Sequence, residues 1–298
     1  MARSLFLLIV LFASLGVRAE PLVLTSIRPL QLIAAAVQEG IGQPAVLLPP
    51  GASAHHYSLR PSDVRQLREA ALFYWVGPDL EAFLTQPLAG RSGPSLAVQS
   101  LPGLRLRHFG DDDDHEHHDE HGHDHDHRPG SLDAHLWLAP HNARLIAARM
   151  AEDLAHLDPA HAARYAANRD AFAARLDALE ARLKTRLGQL TTRPYFVFHD
   201  AYGYFEAAFG LQHAGVFSLS GEVQPGARQV AAMRVELERV APACVFSEPP
   251  LRPRLAETLS AGLPVRLAEL DALGSRAASY EALLDELAEG LAGCLEAL

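Results

Sequence analysis

The stretch LVLTSIRPLQLIAAAVQEGIGQPAVLLPPG, residues 22–51, decides the fold of this chain. Leu22–Ser26 is short and apolar and predicts a buried strand. Gln31–Glu39 predicts a helix that a glycine ends. Ala45–Leu48 predicts a second strand, which the Pro49-Pro50-Gly51 turn terminates. A strand, a helix and a further strand predict a parallel sheet with a crossover helix.

The same alternation continues along the chain. Ser62 can cap a helix that runs to Ala70, and a third strand is predicted over residues 71–76. After residue 190 a second alternating segment begins, with predicted strands at Tyr195–Phe198, Cys244–Phe246 and Pro264–Leu267. We therefore predict an α/β fold of two lobes, each a parallel sheet with flanking helices.

A long helical pattern separates the two alternating segments. Large apolar residues recur at three- and four-residue spacing from Asp158 to Leu190, and such a helix is about 48 Å long. A helix of that length suits one rigid strut between lobes better than a packing element within one. The predicted organisation is an N-terminal lobe over 20–157, a connecting helix over 158–190 and a C-terminal lobe over 191–298.

The first residues are typical of a secretory signal peptide. Arg3 precedes an apolar run from Leu5 to Val17, and Val17-Arg18-Ala19 provides a cleavage site after Ala19. The run is short for a membrane span, so we expect cleavage rather than a membrane anchor. The predicted signal peptide is residues 1–19, and the mature protein is expected in an exported compartment.

Composition narrows the function classes. The formal net charge is −10 at pH 7, so nucleic acid is not an expected partner. Separately, we expect the protein to be a monomer. Two cysteines, Cys244 and Cys294, are present in a chain that we expect to be exported. A disulfide is the expected pairing in such a compartment, and metal ligation is the alternative.

The segment DDDDHEHHDEHGHDHDH, residues 111–127, contains no apolar side chain. We predict a disordered loop over 108–130, because such a segment buries nothing that offsets the entropy of ordering. Histidine mixed with carboxylate binds divalent transition metals. The candidate auxiliary ligands are His115, His117, His118, His121, His123, His125 and His127.

Three histidines outside this loop lie near predicted strands. His55 and His199 follow strands of different lobes, and His135 precedes Leu136-Trp137-Leu138. Ligands of open α/β sheets bind beyond the carboxyl ends of strands, which places a candidate site in the cleft between the lobes. Three imidazoles suit Zn²⁺. Spacing alone does not show that they converge, and a structural role for each histidine is the alternative.

Five segments carry a family resemblance: GASAHHYSLRPSDV, ALFYWVGPDLEAFL, DAHLWLAPHNARLIA, VFHDAYGYFEAAFGL and CVFSEPPL. In this order they resemble the zinc-binding protein of high-affinity zinc ABC importers, the ZnuA type. The resemblance implies a periplasmic solute-binding protein with two α/β lobes joined by a rigid helix. It implies that Zn²⁺ is bound by His55, His135 and His199 and is delivered to a membrane permease.

The fourth ligand is left open by the resemblance. Some relatives carry an acidic residue just before the first histidine, where this chain has Ala54. Water and then Asp271 are the candidates, and His56 is an alternative to His55. Glu248 and Asp200 are candidate partners that accept the second N–H of a ligating imidazole.

Binding and delivery are expected rather than catalysis, so the chain is not expected to be an enzyme. The alternatives are a manganese-binding relative or adhesin and a secreted zinc-dependent hydrolase, because three histidines and a water also form a catalytic site. No HExxH pair and no Gly-x-Ser-x-Gly elbow is present. The histidine-rich loop is expected to deliver or sense zinc, with incidental binding as the other reading.

Overall fold

The N-terminal lobe alternates strands and helices, as the sequence predicts. A computed structural model describes residues 22–110, 130–218, 227–249 and 254–298. The elements of this lobe are β1 (Val23–Thr25), α1 (Arg28–Val37), β2 (Ala45–Val46), α2 (Pro61–Glu69), β3 (Leu72–Trp75), α3 (Thr85–Ala89), β4 (Ser95–Ala97) and α4 (Pro140–Leu157). The sheet has the order β2-β1-β3-β4, and every neighbouring pair is parallel.

The C-terminal lobe repeats this arrangement. Its elements are β5 (Tyr195–His199), α6 (Gly203–Phe209), β6 (Gly215–Ser218), α7 (Ala227–Val240), β7 (Ala243–Ser247), α8 (Arg254–Ser260), β8 (Val265–Glu269) and α9 (Tyr280–Leu295). The sheet order is β6-β5-β7-β8, again with parallel neighbours throughout. The predicted pair of parallel α/β sheets is therefore confirmed, although β4 and β6 are absent from the sequence prediction.

A long helix, α5 (Ala162–Leu187), joins the lobes. It begins later than the predicted Asp158, because Pro159–His161 forms a separate 3₁₀ turn. The Asn168 amide donates to the carbonyl of Val37 in the N-terminal lobe, at 2.9 Å. On the other side, the Phe172 ring packs edge-on against Tyr280 of α9, with centroids 5.7 Å apart. The helix is thus fixed to both lobes by buried contacts.

Two hydrophobic cores occupy the described parts of the chain. The larger runs continuously from β1 and α1 through α4 and α5 to α9, so it belongs to both lobes. The smaller lies on one face of the C-terminal sheet, where Phe196 and Val245 pack with Met233 and Leu237 of α7. None of the helices described is both long and apolar enough to cross a bilayer.

The two cysteines form a disulfide, which confirms the expected pairing. Cys244 of β7 and Cys294 of α9 are joined by an S–S bond of 2.03 Å and are 50 residues apart in sequence. Cys244 is fully buried and Cys294 is almost so. The bond ties the C-terminal helix to the central part of the second sheet.

Candidate metal centre

His55 lies in the loop between β2 and α2. The pairing of β2 with β1 extends past its last residue, since the amide of Leu47 donates to the carbonyl of Thr25 at 2.8 Å. Beyond the Pro49-Pro50-Gly51 turn, the Ser53 hydroxyl accepts from the backbone amides of both His55 and His56, each at 3.2 Å. The turn that Ser53 closes therefore fixes the backbone that carries the first histidine.

The far end of this loop is fixed by Asp63. Its carboxylate accepts from the Tyr57 hydroxyl at 3.0 Å and from the backbone amide of Arg60 at 2.8 Å. Arg60 is accordingly the N-cap residue, and Pro61 occupies the first turn, where a missing N–H costs nothing. The prediction that Ser62 caps α2 is wrong, because the helix starts one residue before it.

His135 lies immediately before a 3₁₀ turn, Leu136–Leu138, that leads into α4. The Asp133 carboxylate accepts from the backbone amide of His135 at 2.9 Å and lies 2.8 Å from its Nδ1. The Trp137 indole donates to the carbonyl of Ala272, at 2.9 Å, and so holds this turn against the C-terminal lobe. The side chain of His135 is only 3% exposed.

His199 is the last residue of β5, and its partner Glu248 directly follows β7. The two strands are parallel neighbours, so their carboxyl ends lie side by side. The His199 Nδ1 is 3.0 Å from Glu248 Oε2, and the Tyr202 hydroxyl donates to Glu248 Oε1 at 2.8 Å. The topology of the sheet thus creates this carboxylate–histidine pair.

The structure brings His55, His135 and His199 together. One ring nitrogen from each lies within 4.8 Å of the other two. The ring centroids are 5.4 Å apart for His55 with each of the others and 4.8 Å apart for His135 with His199. Because Nδ1 faces a carboxylate in both His135 and His199, Nε2 is the atom of each that suits a metal. Two donors come from the N-terminal lobe and one from the C-terminal lobe.

Burial and mutual repulsion keep His135 neutral. Burial lowers the pKa of His135 well below its ordinary value, and His199 and His55 lower it further. Burial also raises the pKa of its partner Asp133 to about 7, although the His135 amide and Arg107 oppose that shift. A neutral imidazole whose Nδ1 is hydrogen-bonded is the form that ligates a divalent ion.

The second pair has the opposite balance. Burial lowers the pKa of His199, but the adjacent Glu248 carboxylate outweighs burial, and the net pKa is raised. Burial raises the pKa of Glu248. The electrostatic interaction with His199 and the hydrogen bonds from His199 and Tyr202 lower it by more, so the net pKa of Glu248 is lowered. A metal that binds here competes with a proton for His199, and the Glu248 carboxylate offsets part of the metal's charge.

The remaining sequence candidates lie around this centre. Both oxygens of Asp271 serve its own turn, accepting from the Leu273 amide at 3.1 Å and the Ser275 amide at 2.7 Å. Among the described residues, the group of converging ligand atoms contains no carboxylate. Asp200 is half-buried and directly follows His199 in sequence, and desolvation raises its pKa to about 6. His56 is exposed, and the candidate loop histidines, His115 to His127, lie outside the described residues.

Sequence reasoning missed Asp133, Tyr202 and Tyr204, which all contact the histidine pairs or their backbone. Asp133 precedes His135 by two residues, a spacing that lets a carboxylate accept from the following amide. The two tyrosines follow His199 within the segment VFHDAYGYF. Polar residues within a few positions of a candidate ligand are the signal that could have identified them.

Comparisons with known proteins identify the relatives of this chain. The family described as ZnuA, zinc-uptake complex component A, periplasmic, matches residues 23–294. A high-affinity zinc uptake system protein ZnuA from Yersinia pestis is 40% identical over 293 residues, which cover 93% of this chain and 92% of the relative. A protein of the same name from Brucella abortus is 35% identical and covers 92% of this chain and 91% of its own length.

Solved structures share the fold. A crystal structure of ZnuA superposes with a TM-score of 0.77 at 23% identity and covers 92% of this chain and 99% of its own. The periplasmic zinc-binding protein TroA from Treponema pallidum also gives a TM-score of 0.77, at 20% identity, covering 93% and 99% respectively. The likeness extends over both lobes and the helix between them.

Proposed function

Because the chain belongs to the ZnuA family of periplasmic zinc-uptake components, we propose that its inter-lobe cleft captures Zn²⁺ for an ABC importer. The observation that carries this proposal is the convergence of His55, His135 and His199 within 4.8 Å. Three imidazole nitrogens form the protein part of a tetrahedral zinc site. Here the ion is the transported substrate rather than a resident cofactor.

The donor set favours zinc over manganese. Imidazole suits borderline-soft ions, whereas manganese sites are richer in carboxylate and water oxygens. We propose that water completes the shell, because Asp271 would have to give up its bonds to Leu273 and Ser275 to reach a metal. Glu248 and Asp133 are proposed to orient the two buried imidazoles.

Delivery is proposed to follow from the division of the ligands between lobes. His199 is the one proposed ligand contributed by the C-terminal lobe, so a small rearrangement between lobes separates it from His55 and His135. Losing one of three protein ligands weakens the site sharply, which allows release to a membrane permease of an ABC transporter. A solute-binding protein of this kind performs no chemistry on its ion, so we propose no catalytic role.

The other parts of the chain are assigned on the same basis. Residues 1–19 are proposed to be a signal peptide that directs the protein to the periplasm, where it works as a monomer. The proposed units are then 20–157, the connecting segment 158–190, and 191–298. The histidines between 111 and 127 are proposed to concentrate or sense zinc outside the principal site.

Calorimetric zinc titration of four proteins tests the assignment: the chain from residue 20, the same chain without residues 111–127, and its His199→Ala and His213→Asn variants. We expect the loop deletion to keep one tight site. His199→Ala should lose affinity by more than the roughly 10–100-fold that removal of an outer partner costs. His213 pairs with Glu206, at 3.0 Å, outside the histidine group and serves as the matched control.

Loss of tight binding in the loop deletion would make the loop the principal site and reject the cleft. Equal effects of the His199 and His213 variants would also reject it. Zinc-dependent turnover of peptide, ester or phosphate substrates by the intact protein would favour a hydrolase instead. Tighter binding of Mn²⁺ than of Zn²⁺ would favour a function in manganese uptake instead.

A further inference from the structure

The segment Tyr202-Gly203-Tyr204 follows His199 at the start of α6 and lies against both carboxylate–histidine pairs. We infer that it is a positioning element for the metal centre, in which Tyr202 braces the pair of its own lobe and Tyr204 braces the pair of the other. This inference rests on the proposed zinc-binding function. It adds two tyrosines and a glycine that are not proposed ligands but that determine the positions of His135 and His199.

Tyr202 acts within the C-terminal lobe. Its hydroxyl is 2.8 Å from Glu248 Oε1 and 3.1 Å from the carbonyl oxygen of Leu270. Glu248 uses its other oxygen for His199, at 3.0 Å. Since the side chain of Tyr202 is almost completely buried, the carboxylate cannot rotate without breaking this contact. The orientation of His199 therefore depends on Tyr202 through Glu248.

Tyr204 acts across the cleft. Its hydroxyl donates to the carbonyl oxygen of Asp133 at 2.7 Å and accepts from the backbone amide of Arg107 at 3.0 Å. The amide of Asp133 donates to the carbonyl of Arg107 at 2.9 Å. One hydroxyl of the C-terminal lobe thus joins two neighbouring backbone segments of the N-terminal lobe. Tyr204 is only 2% exposed.

The contact of Tyr204 with Asp133 affects His135 through the Asp133 side chain. Asp133 holds His135 by two bonds, one to its backbone amide and one to its Nδ1. Both bonds end on Asp133 Oδ1, so fixing the Asp133 carbonyl from the opposite lobe fixes the backbone that carries this carboxylate. Because Tyr204 is five residues beyond His199 on the same segment, it also sets the separation of His135 from His199.

Gly203 allows the two lobes to approach at this point. A Cβ atom on Gly203 would lie 3.3 Å from both Asp133 Oδ2 and Arg107 Nε, closer than most side-chain contacts. An alanine there would displace the Asp133 carboxylate or the Arg107 side chain. In a helix, however, alanine is more favourable than glycine. Gly203→Ala should therefore weaken metal binding without weakening the helix.

The test compares Tyr204→Phe and Gly203→Ala with Tyr74→Phe in the protein that begins at residue 20. Tyr74 is an equally buried tyrosine that donates to Asp153 at 3.0 Å, away from the histidines, so its variant loses one comparable hydrogen bond. The readouts are zinc affinity by competition with a chromophoric chelator, the visible absorption of bound Co²⁺, and the thermal midpoint of the metal-free protein. Co²⁺ absorption reports ligand geometry, which a purely structural role leaves unchanged.

We expect Tyr204→Phe to reduce zinc affinity about 10-fold and to change the Co²⁺ spectrum, while Tyr74→Phe changes neither. Gly203→Ala should show the same pattern with an unchanged or higher thermal midpoint, and it decides the matter if Tyr204→Phe does not fold. Zinc affinity and Co²⁺ spectra like those of the intact protein in the folded variants would overturn the inference alone. Failure of the intact protein to bind zinc would overturn the proposed function itself.

Discussion

The two lobes have the same strand order but different cores. Every strand of the N-terminal sheet contributes to the large core that α4, α5 and α9 share. In the C-terminal sheet, Cys244 and Phe246 face that shared core, whereas Val245 faces a small separate core beneath α7. Alternate residues of one strand thus belong to different hydrophobic units, as the two-residue period of a strand requires.

This difference bears on the metal centre. The N-terminal lobe presents His55 and His135 from loops anchored on the large core. The C-terminal lobe presents His199 from a sheet whose outer face is supported only by the small core in the described residues. A lobe with less shared hydrophobic contact depends more on local connections, and the disulfide between β7 and α9 is the strongest of these.

Removing the disulfide should have the largest effect on stability, and the effect should be greater in the C-terminal lobe. In the chain-entropy model, a bond that spans 50 residues stabilises the fold by about 4 kcal/mol. We expect Cys244→Ser/Cys294→Ser to lower the free energy of unfolding by up to this amount, measured by denaturant titration. Hydrogen exchange should increase more in β7 and the small core than in β1 and β3.

The reduced intact protein is the control, since it loses the bond without any substitution. Zinc should restore part of the stability of both forms, because a ligand that binds only the folded state shifts the equilibrium by mass action. Equal increases in hydrogen exchange in the two lobes would contradict the view that the C-terminal lobe depends more on its local connection.

Replacing the two carboxylate partners tests whether the lobes also differ at the metal centre. The side chain of Asp133 is 4% exposed and bonds to His135 twice, whereas the side chain of Glu248 is 25% exposed and bonds to its histidine once. We expect Asp133→Asn and Glu248→Gln to weaken zinc binding within the roughly 10–100-fold range of outer partners, the former more. Chelator competition measures both affinities.

Asp153→Asn is the control, because Asp153 also bonds a buried tyrosine and lies outside the histidine group. This variant should leave zinc affinity within about twofold of that of the intact protein, since Asp153 bonds neither a ligating histidine nor Asp133 or Glu248. A larger loss for Glu248→Gln than for Asp133→Asn would reverse the ranking. It would place the more rigid pair in the C-terminal lobe.

Much of the fold could be predicted from the strand–helix alternation, and the failures share a cause. Ser95–Ala97 and Gly215–Ser218 are very short, and neither carries a long apolar run. Their pairing with β3 and β5 supplies the order that their own residues do not. Residue type predicts Ser62 as the helix cap, but the bond from the Arg60 amide to the Asp63 carboxylate places the cap at Arg60.

The candidate site, like the fold, could be predicted only in part from local sequence. The local pattern predicts that His55 and His199 follow strands. His199 is the last residue of β5, whereas His55 lies in the loop nine residues beyond the end of β2. Convergence with His135 depends on how the two lobes meet, which spacing along the chain does not encode. The family resemblance predicts this convergence. Tyr204 was missed because its bond to Asp133 joins residues 71 positions apart.

A buried glutamate in each lobe extends the comparison to pH. Glu81 accepts from the Val76 and Gly77 amides, and its burial raises its pKa to about 7. Burial also raises the pKa of Glu206, but its bonds to His213 and Tyr195 outweigh burial, and the net pKa is lowered. A raised pKa for an acid means that the folded protein holds the proton more tightly than the unfolded chain.

Stability from Glu81 is therefore present below about pH 4.5 and is lost as pH rises through about 7. Glu81→Gln resembles the protonated form and should remove this dependence. We expect its thermal midpoint to match that of the intact protein at pH 5 and to exceed it by a few degrees at pH 8. A midpoint difference that does not change between these pH values would contradict the assignment.

The smallest effect is expected along the connecting helix, where exposed and half-buried ion pairs can be compared. Arg182 of α5 meets Asp285 of α9 at 2.7 Å, and its side chain is 57% exposed. Arg144 of α4 meets Glu180 of α5, and both side chains are only 22% exposed. Solvent screens the first pair more than the second, and exposed pairs are typically worth about 0.2–1 kcal/mol.

We expect Arg182→Ala to reduce the free energy of unfolding by less than about 1 kcal/mol, and Arg144→Ala to reduce it more. Urea titration measures both, and double-mutant cycles with Asp285→Ala and Glu180→Ala isolate each pair energy. In 1 M salt the Arg182 effect should nearly vanish, because the screening length falls to about 3 Å. A salt-resistant Arg182 effect larger than that of Arg144 would mean that exposed pairs, rather than the shared core, attach α9 to α5.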